Sequence, residues 1–191
     1  MIDYLMKVIE KSIPLNLTEK KLIENLFKEK KYGKGDFFLA EREICKQIGF
    51  ITKGIMRYYI NDDGEDKTYG FSQENDFVCN YESFVPQTPS SQIIQALENC
   101  ELFVISYDDL QDFYSKVKGG ERFGRLVIEQ VFIQTSKERN SFYTDPPELR
   151  YEKFIRQHPR LQQRLSQYHI ASYVGVKPQS LSRIRKRLSA Y

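Results

Sequence analysis

The sequence predicts an α+β fold: a body of short β-strands flanked by helices, then a long helix, then a small all-helical C-terminal segment. Three features carry this expectation. Between residues 33 and 105, short runs rich in Ile, Val, Phe and Tyr alternate with turn residues. From residue 121 to about 143 the pattern is that of one long helix. From residue 150 onward, bases dominate and apolar residues recur at helical spacing.

Residues 1 to about 30 read as helical. Leu22, Ile23, Leu26 and Phe27 recur at helix spacing, with Thr18 as the cap. Strands are expected at 48–52, 55–60, 68–71, 93–97 and 102–105. Lys53-Gly54 and Asn61-Asp62-Asp63-Gly64 read as hairpin turns, because glycine accepts the positive φ such turns need. Many short strands with frequent turns imply a sandwich or a roll. Ser106-Tyr107-Asp108-Asp109 has the form of a capping box opening a short helix through Tyr114.

The long helix follows Gly119-Gly120. Its residues Leu126, Val127, Ile128, Val131, Phe132 and Ile133 point in all directions, so it must be covered on more than one side. The β body covers one side. A second copy of the helix would cover another, which places Val127 and Val131 in a dimer interface. The alternative is burial within one subunit. Asp145-Pro146-Pro147-Glu148 ends this helix and starts the next, with Asp145 as N-cap, and the new helix stops before His158-Pro159.

The bulk numbers exclude several classes. The chain has 191 residues, 40% hydrophobic and 29% charged. No apolar run approaches the ~20 residues that cross a bilayer, and the N-terminus lacks the features of a signal peptide. A cytoplasmic protein without a membrane partner is expected. Cys45, Cys79 and Cys100 are scattered, and His158 and His169 have no ligand-spaced partner. Neither a disulfide framework nor a metal site is signalled. An enzyme is not expected: there is no nucleophile–base pair, Gly-rich phosphate loop or metal spacing.

The charge distribution is more telling than its net value of +3. Residues 150–191 hold ten Lys or Arg against one acid, Glu152, a net of +9. The remainder carries 19 bases and 25 acids, a net of −6. An acidic body thus carries a basic, polyanion-binding tail. Within that tail, residues 167–188 fit a helix-turn-helix. Ala171 gives the close crossing and Gly175 the turn. Ile170, Val174, Val176, Leu181 and Ile184 hold the helices together, and Pro178 suits the first turn of the second helix. With Leu181, Ile184 and Leu188 inward, Gln179, Ser180, Arg183 and Arg187 share the opposite face. Gln179, Ser180 and Arg183 are assigned to base contact, and Lys177, Arg185, Lys186 and Arg187 to phosphates.

The order of β-roll, long helix and C-terminal helix-turn-helix resembles the Crp/Fnr family of bacterial transcription regulators. The resemblance covers residues 15 to 188. It is carried by Arg150-Tyr151, His158-Pro159, Leu161, Ile170-Ala171-Ser172-Tyr173-Val174-Gly175 and Leu181-Ser182-Arg183-Ile184-Arg185-Lys186, with the turns at Gly54 and Gly64. It implies a cyclic-nucleotide-binding-like β-roll sensor domain over 1–118, a connecting and dimerisation helix over 119–144, and a DNA-binding domain over 145–191. It also implies a homodimer on a palindromic double-stranded operator, with RNA polymerase and an unidentified small-molecule effector as further candidate partners.

The ligand cassette departs from the family. Cyclic-nucleotide-responsive members carry Gly-Glu after a strand, and an Arg with a small hydroxyl residue about ten positions later. Here Cys79-Asn80 and Ser90-Ser91 stand in those places, and no Lys or Arg occurs between Lys67 and Lys116. A buried phosphate without a charge-assisted partner is poorly held. The resemblance therefore points to a branch with a degenerate cassette and no cyclic-nucleotide cofactor. Thr135-Ser136 on the long helix are a further candidate ligand contact. Four cysteine ligands for an iron–sulfur cluster are lacking. Two other readings remain open: a cyclic-nucleotide-responsive regulator with an atypical site, and a regulatory or scaffold module that does not bind DNA.

Overall fold

A computed structural model describes residues 2–188. The chain divides into two compact units, Met1–Tyr58 with Phe71–Val131, and Tyr59–Gly70 with Phe132–Tyr191.

Two helices come first, α1 (Ile2–Glu10) and α2 (Leu17–Leu26). Leu5, Met6 and Ile9 form the buried stripe of α1. Asn16, not Thr18, caps α2. Its side chain accepts the Glu19 N–H at 2.9 Å, and the Glu19 carboxylate accepts the Asn16 N–H at 2.8 Å. The other Glu19 oxygen accepts the Lys118 N–H at 2.8 Å. The N–H groups of Asn16 and Lys118 hold the Glu19 carboxyl below the usual range.

Eight strands form the body: β1 (Lys28–Tyr32), β2 (Phe37–Leu39), β3 (Gln47–Lys53), β4 (Met56–Asp62), β5 (Glu65–Ser72), β6 (Phe77–Val78), β7 (Ile93–Ala96) and β8 (Cys100–Ser106). A short helix, α3 (Tyr81–Phe84), separates β6 from β7. The strands make two four-stranded sheets, ordered β1-β8-β3-β6 and β2-β7-β4-β5. This is an antiparallel β-roll. Phe50 of β3 pairs with Phe103 of β8 on one side and Phe77 of β6 on the other. The rings of Phe50, Phe77, Phe123 and Phe113 then follow one another with centroids 5.1 to 6.1 Å apart. That aromatic chain links the sheet to α4 (Tyr107–Lys116) and to the start of α5 (Gly120–Thr144).

Three strands were not anticipated. The helical stretch ends at Leu26, not near residue 30, because Phe27 turns extended and buries its ring while Lys28–Tyr32 join β8. β1 is charged and exposed along most of its length, as an edge strand is. The short strands β2 and β6 lack a full alternating period. Ser106 does cap α4, accepting the Asp109 N–H at 3.1 Å.

The two turns differ in role. Asp63 and Gly64 both have positive φ, 50° and 84°, so they close a two-residue hairpin between β4 and β5. Lys53-Gly54 is not a hairpin: β3 and β4 lie in different sheets. Gly54, at φ 104°, turns the chain from one sheet to the other. A Cβ there would sit 2.8 Å from Cys100 Cα and 3.0 Å from Asn99 O. Gly54→Ala should therefore combine positive-φ strain with a backbone clash and cost at least ~2 kcal/mol. Chemical denaturation of both proteins measures it. An unchanged midpoint would mean that the corner relaxes freely.

Candidate functional site

The C-terminal helices are α6 (Pro147–Gln157), α7 (Leu161–Arg164), α8 (Gln167–Val174) and α9 (Pro178–Leu188). Ser166 caps α8 by accepting the His169 N–H. Ile170, Ala171 and Val174 of α8 are buried, as are Leu181 and Ile184 of α9. Gly175 takes φ 77°, and the Val176 N–H reaches back to Ala171 O at 2.9 Å, closing the helix end. A Cβ on Gly175 would lie 3.0 Å from the Phe142 ring. Lys177 precedes α9 and its carbonyl accepts the Ser180 and Leu181 N–H groups of that helix.

One guanidinium organises this unit. Arg150 donates to Val174 O at 2.8 Å, to Asp145 O at 2.8 Å and to Phe142 O at 3.1 Å. It also lies over the Phe142 ring, 5.0 Å from the centroid. Beside it, Lys153 pairs with Asp145 at 2.5 Å and holds that carboxyl below its ordinary range. Asp145 is not the α6 N-cap. Pro146 holds that position without a side-chain bond, and Asp145 serves Ser141, Thr144 and Lys153 instead.

Gln179, Ser180 and Arg183 stand exposed on α9, as do Arg185, Lys186 and Arg187, and Lys177 is exposed just before it. Their roles differ in geometry. Gln179, Arg183 and Lys186 share the outward stripe at i, i+4 and i+7. Arg187 makes an ion pair with Glu148 of α6. Arg185 and Lys186 line a groove of about 460 Å³ with Ser182, Tyr151, Ile155, Gln162 and Leu188. The bases at 150, 153 and 187 thus have protein partners, and sequence counting did not separate them from those on the α9 surface.

The cassette residues come together only in part. Asn80 and Ser90 are buried, while Ser91 is exposed. The Asn80 amide donates to Ser90 Oγ at 2.9 Å and Gln92 Oε1 at 2.8 Å, and its carbonyl accepts the Ser83 N–H at 3.0 Å. Gln92 in turn donates to Glu82 at 3.0 Å. In this network the acidic member is Glu82. Gln92 and Glu82 were not anticipated, since neither lies at a family motif position. Cys79 is half-buried beside Cys45.

On α5, Thr135 is exposed and Ser136 half-buried. Val127 packs in part against the core of the β body. Val131, Phe132 and Ile133 are 49%, 69% and 54% exposed. Leu126, Val127 and Ile128 are half-buried, so the all-round apolar pattern resolves into a half-covered first part and an open second part. Among the described residues no cluster of His, Cys, Asp or Glu is arranged to hold a metal ion, and no helix is long and apolar enough to cross a membrane.

Comparison with known proteins places these features. Residues 29–117 match the cyclic nucleotide-binding domain family. Solved structures share the fold. A transcriptional regulator of the Crp/Fnr family from Eubacterium rectale aligns at 15% identity, covering 92% of this chain and 84% of that one, with a TM-score of 0.71. FixK2 from Bradyrhizobium japonicum aligns at 14% identity, covering 86% and 85%, with a TM-score of 0.71. The c-di-GMP-responsive global regulator CLP from Xanthomonas campestris aligns at 15% identity, covering 92% of each, with a TM-score of 0.66. A sequence search among curated proteins returns no significant match.

His158, at the end of α6, supplies a pH test. Burial lowers its pKa from the ordinary 6.5, and its Nδ1 is buried without a hydrogen bond. The unfolded chain therefore binds this proton first as pH falls. The stability His158 contributes is full above 6.5 and is lost as pH drops toward the lower folded value. Between about pH 7.5 and pH 5, wild type should lose more thermal stability than His158→Gln. Parallel melting curves for the two proteins would contradict the assignment.

Proposed function

We propose that this chain, with a cyclic nucleotide-binding-type domain and the fold of the Crp/Fnr regulators, is a dimeric, sequence-specific DNA-binding transcription regulator. The observation that carries the reading is the α8–turn–α9 unit: a left-handed glycine turn, a buried α8–α9 seam, and an exposed α9 face bearing Gln179, Ser180, Arg183 and Lys186. Gln and Arg present the paired donors and acceptors that read adenine and guanine edges in a major groove. Gln179, Ser180 and Arg183 lie in the first two turns of α9, where recognition helices meet bases. Lys177, Arg185 and Lys186 supply phosphate contacts. Arg187 reaches a phosphate only by leaving Glu148.

A homodimer through α5 is part of the same reading. Val131, Phe132 and Ile133 are exposed apolar residues at consecutive positions around α5, and a second α5 would cover part of that surface. Val131 serves that interface more fully than Val127, which is half committed to its own core. Such a dimer suits a palindromic operator. Thr135 and Ser136 remain the candidate effector contacts on this helix. The function is regulatory and not enzymatic.

Mutants of α9 test the reading. Arg183→Ala should weaken the preferred duplex by ~1–3 kcal/mol and relax its specificity. Lys186→Ala should weaken all duplexes alike and lower the salt slope by about one. Fluorescence anisotropy on selected and random duplexes separates the two. Identical losses on both kinds of DNA would sink the assignment of roles.

A second reading, a cyclic-nucleotide-responsive regulator, is favoured by the family match over residues 29–117. The Asn80 network argues against it, because its donors and acceptors are already paired and its charge is negative. Two missing charge-assisted bonds, each worth about 1.5–3 kcal/mol, would weaken a micromolar site roughly a hundredfold or more. Calorimetric titration with cyclic AMP and cyclic GMP should be silent at low-micromolar ligand. Stoichiometric heat would promote the second reading.

A further inference from the structure

The three cysteines are scattered in sequence, yet two of them meet. Cys45 Sγ lies 3.8 Å from Cys79 Sγ, across 34 positions of chain. Cys45 is 2% exposed and Cys79 is half-buried. Both residues are fixed by their surroundings. The Cys45 N–H donates to Ser83 Oγ at 2.9 Å, and the Ser83 N–H donates to Asn80, the residue after Cys79. The segment carrying Cys45 is also bridged through Ile44 to Pro89. The backbone on each side of the pair is therefore held, and the thiols face each other without a strand between them. Two sulfurs in van der Waals contact must close by side-chain rotation to the ~2.05 Å of a disulfide.

We propose that Cys45 and Cys79 are a dithiol that a small hydroperoxide oxidises to an intramolecular disulfide. Cys45 is the attacking group. Its pKa is drawn down to about 7, first by the hydrogen bond it shares with the Cys79 thiol. Burial pushes the Cys79 thiol up, so it keeps its proton and acts as the donor. The Cys45 thiolate attacks one oxygen of hydrogen peroxide, the O–O bond breaks, and hydroxide leaves. Cys45 is then a sulfenic acid. Cys79 attacks the Cys45 sulfur and gives its proton to the sulfenic oxygen. The S–O bond breaks, water leaves, and the Sγ–Sγ bond forms. Two thiols lose two electrons and the peroxide gains them. Near-complete burial of Cys45 selects an oxidant about the size of water.

Cys100 is the internal control. It is buried, its thiol points to Ile55 O and Glu98 O, and burial pushes its pKa up to about 11. It is not expected to react. The proposal needs neither DNA binding nor an effector, so it stands or falls apart from the functional reading above.

The test uses the full-length protein and hydrogen peroxide. After exposure to a few equivalents, remaining thiols are alkylated under denaturing conditions and the protein is analysed by intact mass and peptide mapping. The expected result is loss of two hydrogens, alkylation of Cys100 alone, a cross-linked Cys45–Cys79 peptide, and full reversal by a dithiol reductant. Cys79→Ser should stop at a Cys45 sulfenic acid that a 1,3-dione probe captures. Cys45→Ser should give neither probe adduct nor cross-link. Three alkylated thiols after peroxide, a bridge involving Cys100, or over-oxidation of one cysteine without a bridge would each overturn the proposal. The wild-type map decides even if a variant fails to fold.

Discussion

The C-terminal unit depends on a single guanidinium. Helices end with carbonyls that have no partner in their own helix, and Arg150 collects such carbonyls from the ends of α5 and α8 and from the linker between α5 and α6. Each hydrogen bond to a charged donor contributes on the order of 1.5–3 kcal/mol. A lysine would not replace it. Only the planar five-donor fork reaches several carbonyls while stacking on Phe142. Gly175 completes the arrangement, since a side chain there would press on both Phe142 and Arg150. The position of the α8 end, and hence of the turn into α9, follows from this one interaction.

The β body has a different basis. Its sheets are joined at Gly54, where a left-handed residue lets β3 leave one sheet and β4 enter the other. Aromatic rings then carry the core from Phe50 to Phe113 and Phe123. Glu19 ties the first helices to the loop after α4 by accepting backbone N–H groups from both sides. In each case a polar or glycine residue sets a junction, and the apolar residues fill the space that the junction defines.

This explains what the sequence made legible. Elements with a full period were readable: β3, β4, β5, β7, β8, α4, α5 and the α8–α9 pair. Lys28–Tyr32 hid as a strand because an exposed edge strand needs no apolar alternation. Gly54 looked like a hairpin because a sheet-to-sheet corner demands the same positive φ. Asp145 looked like a cap because Asp-Pro-Pro is a cap pattern, but Lys153 and Ser141 claim its carboxylate. Within the site, the exposed α9 face was legible from spacing alone. The bond from Arg150 to Val174, the pairing of Arg187 with Glu148 and the meeting of Cys45 with Cys79 join residues 24, 39 and 34 positions apart. No local pattern encodes such distances.

The charge that sequence counting assigned to the tail is thus of two kinds. Arg150, Lys153 and Arg187 are held by protein partners, while Lys177, Arg183 and Arg185 are displayed at or near α9. The most direct measurement of the central claim is the affinity of the full-length protein for a duplex selected from random DNA, followed across salt concentration. The account predicts nanomolar-range binding whose logarithm falls linearly with the logarithm of salt, with a slope of about −0.9 per phosphate neutralised, and a clear advantage over unselected duplex. Failure to enrich any duplex, or binding that does not respond to salt, would contradict it.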